Sequence, residues 1–233
     1  MNLKFFFLFL SFAVTMLSAQ KDSTLTWKHY TRGGIANTDS TIGGFAYYRI
    51  NRQTDNTFRD LRVFSYSLKN DSFIYIRYKT SDKYSSYPFF YRYTTTSYRK
   101  NTRANVNLQY HFNQGLGYFI NNYKNGLINI EIGHAFDISD YLNATRKTSY
   151  LKSGLFWDHD TKWFSTKFEA EHFQQISEIV ENNLSRNQFL FEIIIPFKKN
   201  FSVNLNYELE DYLNKTQVEV YSTTIAIEWK GNL

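Results

Sequence analysis

The chain has 233 residues, no cysteine and a formal net charge of +6, with 27 Lys and Arg scattered along it. Without cysteine it can form neither a disulfide nor a cysteine-linked acyl anchor, and scattered bases do not make the basic patch that binds nucleic acid. A mean hydropathy of −0.48 is too polar for a helical membrane protein. Aromatic residues make up 19% of the chain and prolines number only 2, which favours an all-β fold.

The first residues have the pattern of an export signal. Lys4 precedes an apolar run over residues 5–17, and the small residues Ser18 and Ala19 follow it. A charged start, a short apolar core and a small-residue exit are what signal peptidase recognises. The run is shorter than the roughly 20 apolar residues that a spanning helix needs. The sequence therefore predicts a cleaved signal peptide at 1–19 and a single exported domain over 20–233.

Apolar and polar residues then alternate with period two, which is typical of strands with one apolar and one polar face. The alternation is clean over 104–113, 127–138 and 200–210. In chain order, the segments with strand character lie near 24–33, 43–52, 57–68, 72–80, 87–98, 104–113, 117–123, 127–138, 145–157, 161–173, 187–198, 200–210 and 216–229.

Turn signals separate many of these segments. They are Asn70-Asp71, Asn125-Gly126, Asp158-His159-Asp160 and Lys198-Lys199-Asn200. Because bacterial barrels have even strand numbers, one of the thirteen segments is expected to be a loop, and 117–123 is the first candidate. The polar stretch 175–183 has helical spacing but is short, and is interpreted as a loop.

Sequential strands of about ten residues form a meander that must close to hide its edges. In a soluble barrel the apolar face points inward, whereas in a membrane barrel it points to lipid. Here the polar faces carry Asn, Gln and Glu rather than Lys, aromatic residues recur at strand ends, and the strand lengths suit a tilted crossing. The sequence predicts an all-β, closed antiparallel up-and-down β-barrel of about 12 strands, with its apolar face outward to lipid, in a bacterial outer membrane.

A resemblance to a known family points the same way. The segment Gly33-Gly34-Ile35-Ala36-Asn37-Thr38-Asp39-Ser40 and the segment Gly115-Leu116-Gly117-Tyr118 resemble motifs of the putative salt-induced outer-membrane protein family. The resemblance implies an outer-membrane barrel with the first motif in its first hairpin, and it implies no catalytic residue. The outward stripe of the last strand resembles the signal read by the barrel assembly machinery; it comprises Tyr221, Thr223, Ile225, Ile227 and Trp229.

The sequence predicts no catalytic, cofactor or metal site. A histidine between carboxylates, as in Asp158-His159-Asp160, could act as a general base, but neighbours in a strand alternate faces and Asp favours turns. The five histidines lack the spacing of metal ligands, and no nucleophile motif of the Gly-x-Ser-x-Gly type is present.

With the apolar face outward, the polar side chains of the strands line the lumen. Carboxylates outnumber the inward bases that the pattern assigns, so an open pore would prefer cations. The same groups could instead pair with Lys and Arg of neighbouring strands and plug the barrel. The predicted lumen residues are Asn105, Asn107, Gln109, Asn129, Glu131, Lys167, Glu169, Glu171, Glu192, Asn204, Asn206, Glu208 and Glu210.

The resulting hypothesis is a non-enzymatic outer-membrane barrel, either a narrow passive pore that prefers cations or an envelope-structural protein. Its expected partners are outer-membrane lipids and the barrel assembly machinery, with no nucleic acid. One alternative is an outer-membrane hydrolase that acts on lipid or peptide at the rim through His159 or His134. The other is a soluble exported β-barrel that binds an apolar ligand.

Overall fold

The computed structural model describes residues 25–38, 41–68, 71–102, 106–139, 146–177, 184–214 and 220–232. Within these ranges the chain forms twelve strands and no helix. Among the described residues no helix is long and apolar enough to cross a membrane. The predicted signal peptide at 1–19 lies outside the described residues.

The strands are β1 (Thr26–Thr38), β2 (Thr41–Gln53), β3 (Thr57–Leu68), β4 (Asp71–Tyr84), β5 (Tyr87–Asn101), β6 (Val106–Tyr123), β7 (Gly126–Ser139), β8 (Arg146–Asp160), β9 (Ser165–Gln175), β10 (Arg186–Lys198), β11 (Phe201–Tyr212) and β12 (Val220–Asn232).

The twelve strands close into an antiparallel up-and-down barrel. Each strand pairs with its neighbours in sequence, and β1 pairs with β12 from Lys28↔Asn232 to Asn37↔Thr223. This pairing leaves no free sheet edge, which is the physical reason that a long meander closes. The predicted architecture and strand number are confirmed.

The two faces of the sheet are opposite in character. In β12 the side chains of Ile225 and Ile227 are 57% and 51% exposed, whereas Ala226 and Glu228 between them are 3% and 2% exposed. In β11 the outward Leu205 and Tyr207 likewise alternate with the buried Asn204. The apolar face therefore points out of the barrel and the polar face points in, as predicted.

The two ends of the barrel differ in their connections. The turns at 54–56, 85–86, 124–125, 161–164 and 199–200 lie at the same end as the start of β1 and the end of β12, and we call this the turn end. At the opposite end, which we call the loop end, consecutive strands are separated in the sequence by residues 39–40, 69–70, 102–105, 140–145, 176–185 and 213–219. The turns have two to four residues, whereas the loop-end connections reach ten. This asymmetry is typical of outer-membrane barrels.

Two of the predicted boundaries were wrong. Segments 104–113 and 117–123 belong to a single strand, β6, and a register shift between Phe119 and Asn121 disturbs its alternation. The segment 117–123 is therefore strand and not loop. Residues 158–160, predicted to form a turn, complete β8, and the turn follows at 161–164.

Outward aromatic residues gather at the turn end. Tyr87, Phe89, Trp163 and Phe197 are 67%, 62%, 71% and 59% exposed there. Aromatic side chains of this kind sit at the interface between hydrocarbon and headgroups in membrane barrels. Other aromatic residues project into the barrel instead; they include Tyr30, Tyr47, Tyr91 and Tyr93.

An inward glycine makes room for one of these tyrosines. Gly117 lies directly across the strand pair from Tyr91, and a Cβ at position 117 would lie 2.1 Å from Cζ of the Tyr91 ring. The ring, only 4% exposed, covers the backbone of β6. Glycine and aromatic residue together therefore fill this part of the wall, an arrangement known from strongly curved sheets.

We expect Gly117→Val to destabilise the barrel by about 1–3 kcal/mol, because the new side chain must displace the Tyr91 ring. Gly33→Val is the matched control, since a Cβ at Gly33 meets no atom within 4 Å. The measurement is the urea midpoint of the barrel in detergent, followed by tryptophan fluorescence. Equal midpoints for the two variants would contradict the described packing.

Candidate functional site

The interior of the barrel contains two cavities. One lies at the loop end and has a volume of about 280 Å³, and the other lies at the turn end and has a volume of about 480 Å³. Arg62, Arg77 and Glu169 line both cavities. These three residues, from β3, β4 and β9, mark the boundary between the cavities, which we call the waist.

Eleven of the thirteen predicted lumen residues line these cavities. Asn107 is in β6 but is exposed near the loop end, and Asn105 lies outside the described residues. The eleven are Gln109, Glu171, Glu192, Asn204, Asn206, Glu208 and Glu210 at the loop end, Asn129, Glu131 and Lys167 at the turn end, and Glu169 at the waist.

Ion pairs connect strands that are not neighbours in the sheet. Arg32 of β1 donates to Glu192 of β10 at 2.8 Å, and Arg99 of β5 donates to Glu210 of β11 at 2.9 Å. Arg32 also donates to Glu228 of the neighbouring strand β12 at 2.5 Å. The first two contacts cross the lumen rather than follow its wall, so they reduce its free cross-section.

A second network centres on Glu131. Its carboxylate accepts from Lys79 at 2.5 Å and from Lys152 at 2.9 Å, and Lys152 also reaches Glu171 at 2.6 Å. The Tyr91 hydroxyl donates to the same carboxylate at 3.1 Å. Glu131 and Lys152 are 3% and 1% exposed, so each buried charge is compensated by its partners.

A third network lies near the loop end. The Nδ1 atom of His111 contacts the Asp137 carboxylate, and Arg186 donates to the same carboxylate at 3.3 Å. Arg186 also reaches Glu210 at 3.2 Å, and its guanidinium lies over the rings of Tyr150 and Phe173. Polar and aromatic groups together fill this side of the interior.

Asp60 is shared by two arginines at the turn end. Arg49 and Arg62 each donate from Nε to one of its oxygens at 2.6 Å. The Asp60 side chain is 1% exposed, so the three groups form a compact unit that carries one surplus positive charge. Sequence alternation did not reveal this cluster.

The expected excess of inward carboxylates is not found. Seven Lys and Arg but only three Asp and Glu line the turn-end cavity, and the loop-end cavity has five arginines and five glutamates. The prediction failed because many inward bases lie on β1 to β5, where inward aromatic residues obscure the alternation. The missed bases include Arg32, Arg49, Arg62, Arg77, Lys79 and Arg99, together with Lys152 and Arg186.

The histidines considered for rim hydrolysis point away from the cavities. His159 faces outward and its Nδ1 lies 3.0 Å from the Tyr123 hydroxyl, which also accepts from Nε1 of Trp157 at 3.0 Å. Asp158 faces inward and lines the turn-end cavity, so the two neighbours occupy opposite faces. His134 is exposed on the outer face. Within the described ranges no group of three His, Asp or Glu side chains is placed to hold a metal ion.

No family model matches the chain, and neither does any curated protein. Solved structures do match. The NanC porin is similar over 86% of this chain and 98% of its own, at 8% identity and a TM-score of 0.58. An outer-membrane channel from Pseudomonas putida F1 is similar over 91% of this chain and 97% of its own, at 8% identity and a TM-score of 0.53. The chain thus has the fold of outer-membrane porins and channels, while the resemblance to the salt-induced family stays a prediction.

We expect Asp60→Asn to destabilise the barrel by about 3 kcal/mol, because it leaves two enclosed arginines without their shared counterion. Asp82→Asn is the matched control: Asp82 also pairs with two arginines, Arg59 and Arg92, but Asp82 is 24% and Arg92 is 61% exposed. Asp82→Asn should lower the free energy of unfolding by less than about 1 kcal/mol. Urea unfolding in detergent measures both, and a larger loss for the control would contradict the buried-cluster interpretation.

Proposed function

We propose that the chain is a non-enzymatic outer-membrane barrel that acts as a narrow passive pore for ions and small polar solutes. The observation that carries this proposal is the pair of cavities, lined by charged, polar and aromatic side chains, that share the waist residues inside a wall whose outer face is apolar. A polar interior behind an apolar outer face is the arrangement of a channel in lipid.

The narrowness follows from the side chains and not from the strand number. Twelve strands lie between the eight-stranded barrels filled by side chains and the wide porins with 16 to 18 strands. Here the ion pairs of Arg32 with Glu192 and of Arg99 with Glu210 cross the lumen and occupy part of its cross-section. The free space that remains, about 280 and 480 Å³, suits small solutes.

The ends of the barrel give its orientation. In outer-membrane barrels the short turns face the periplasm and the longer loops face outside. We therefore place the turn end, with the start of β1, the end of β12 and the outward aromatic residues, on the periplasmic side. The lipids then contact the outer face, and export through the predicted signal peptide at 1–19 delivers the chain to the periplasm.

The last strand is the proposed contact for the barrel assembly machinery. Tyr221, Ile225 and Ile227 form an exposed outward stripe on β12. Because β12 pairs with β1, it is also the strand that closes the barrel.

A planar bilayer tests the proposal. We expect the refolded mature protein to give small, stable current steps, and we expect Arg77→Cys to lose most of its current on reaction with a charged methanethiosulfonate, because the adduct fills the waist. The chain has no cysteine of its own, so the reaction is specific. Arg92→Cys is the control: its side chain lies on the outer face and is 61% exposed, and its current should not change.

Insertion without current would contradict the pore and favour the envelope-structural role. Equal block of Arg77→Cys and Arg92→Cys would mean that the current does not pass through the barrel interior. A protein that stays in solution without detergent would instead support the soluble barrel that binds an apolar ligand.

A further inference from the structure

We infer that the turn-end cavity is a binding site for small oxyanions such as phosphate or a carboxylate, with Arg77 at the waist as its principal contact. The inference rests on the proposed pore, whose preferred solute class it names. It reverses the cation preference expected from the sequence.

The wall of the turn-end cavity carries a surplus of positive charge. Seven basic side chains and three carboxylates line the turn-end cavity. Asp60 lies just behind the wall and compensates one charge of the Arg49 and Arg62 pair, while Lys152 and Glu171, which extend the Glu131 network, cancel each other. The cavity therefore keeps a surplus of three positive charges, and an enclosed site with low-dielectric walls focuses such a field on an anion.

Three basic side chains of the cavity wall, Lys28, Arg77 and Lys83, form no ion pair within 4 Å with a carboxylate of the described residues. Nearby glutamates interact with the charge of Arg77 but do not bond to its guanidinium. Lys83 lies over the Phe119 ring at 5.4 Å, a contact that brings no negative charge. A planar guanidinium such as that of Arg77 presents paired N–H donors that match a carboxylate or phosphate.

Arg62, the second arginine of the waist, also presents donors to the cavity. Arg62 donates to Asp60 through Nε, and neither of its Nη atoms bonds to a residue in the described ranges. An anion at the waist could therefore contact both arginines. Glu169, the third waist residue, pairs with Lys167, so its charge is already compensated.

The contrast with the other cavity locates the site. Apart from the three waist residues, which line both cavities, the loop end has three arginines and four glutamates, and ion pairs such as Arg32 with Glu192 and Arg99 with Glu210 join them. The surplus positive charge is thus confined to the turn end.

The turn-end cavity is also large enough for such a ligand. Its volume of about 480 Å³ is many times that of one water molecule, roughly 30 Å³, so a hydrated oxyanion fits.

The test is titration calorimetry with inorganic phosphate on the detergent-solubilised barrel at low salt, which needs no ion flow. We expect saturable binding that Arg77→Gln weakens by about tenfold or more. Arg77→Lys should restore part of it, because it keeps the charge but not the paired donors. Arg92→Gln, which removes the same charge from the outer face, should leave the affinity unchanged and controls for net charge.

Bilayer recordings separate this inference from the pore itself. A potassium chloride gradient should give a reversal potential whose sign shows a preference for chloride over potassium. Added phosphate should reduce the chloride current in the wild type more than in Arg77→Gln. Arg77-dependent phosphate binding without any current would overturn the pore and keep the oxyanion site. Current with a cation bias, no phosphate binding, or equal binding by Arg77→Gln and Arg92→Gln would overturn the site and keep the pore.

Discussion

Closure of the sheet by the β1–β12 pair decides where every side chain of this protein lies. Once twelve strands form a ring, every strand has a hydrogen-bonded neighbour on both sides, which is the condition for sheet backbone to lie in lipid. Alternation then leaves only two places for a side chain, the apolar outside and the enclosed inside. Charged groups such as Glu131 and Lys152 can lie inside only where partners compensate them.

The interior charges therefore shape the lumen as well as satisfy each other. Lys79 on β4 and Glu131 on β7 meet inside the barrel at 2.5 Å, and this pair occupies part of the wall of the turn-end cavity. Buried ion pairs are weak evidence for stability, since desolvation offsets much of their attraction. Their clearer consequence here is geometric, because each pair fixes long side chains from distant strands at a defined place in the lumen.

The sequence predicted the architecture because the decisive signal is local. The first part of β6 and strands β7 and β11 alternate cleanly, and their inward Asn, Gln and Glu residues could be assigned by position alone. On β4 the inward face carries Tyr75 beside Arg77 and Lys79, while Ile74, Ile76 and Tyr78 face outward. With aromatic residues on both faces, the pattern could not assign the bases. The waist itself joins residues of β3, β4 and β9, a juxtaposition that only the closed ring creates.

The most direct test of the account is spin-label accessibility along β11, using single cysteines at Leu205, Asn206, Tyr207 and Glu208 in a barrel reconstituted into lipid. We expect labels at 205 and 207 to collide mainly with lipid-soluble oxygen, and labels at 206 and 208 to collide mainly with a water-soluble nickel chelate. The reverse pattern, or accessibility without a period of two, would contradict an apolar face in lipid around a polar lumen.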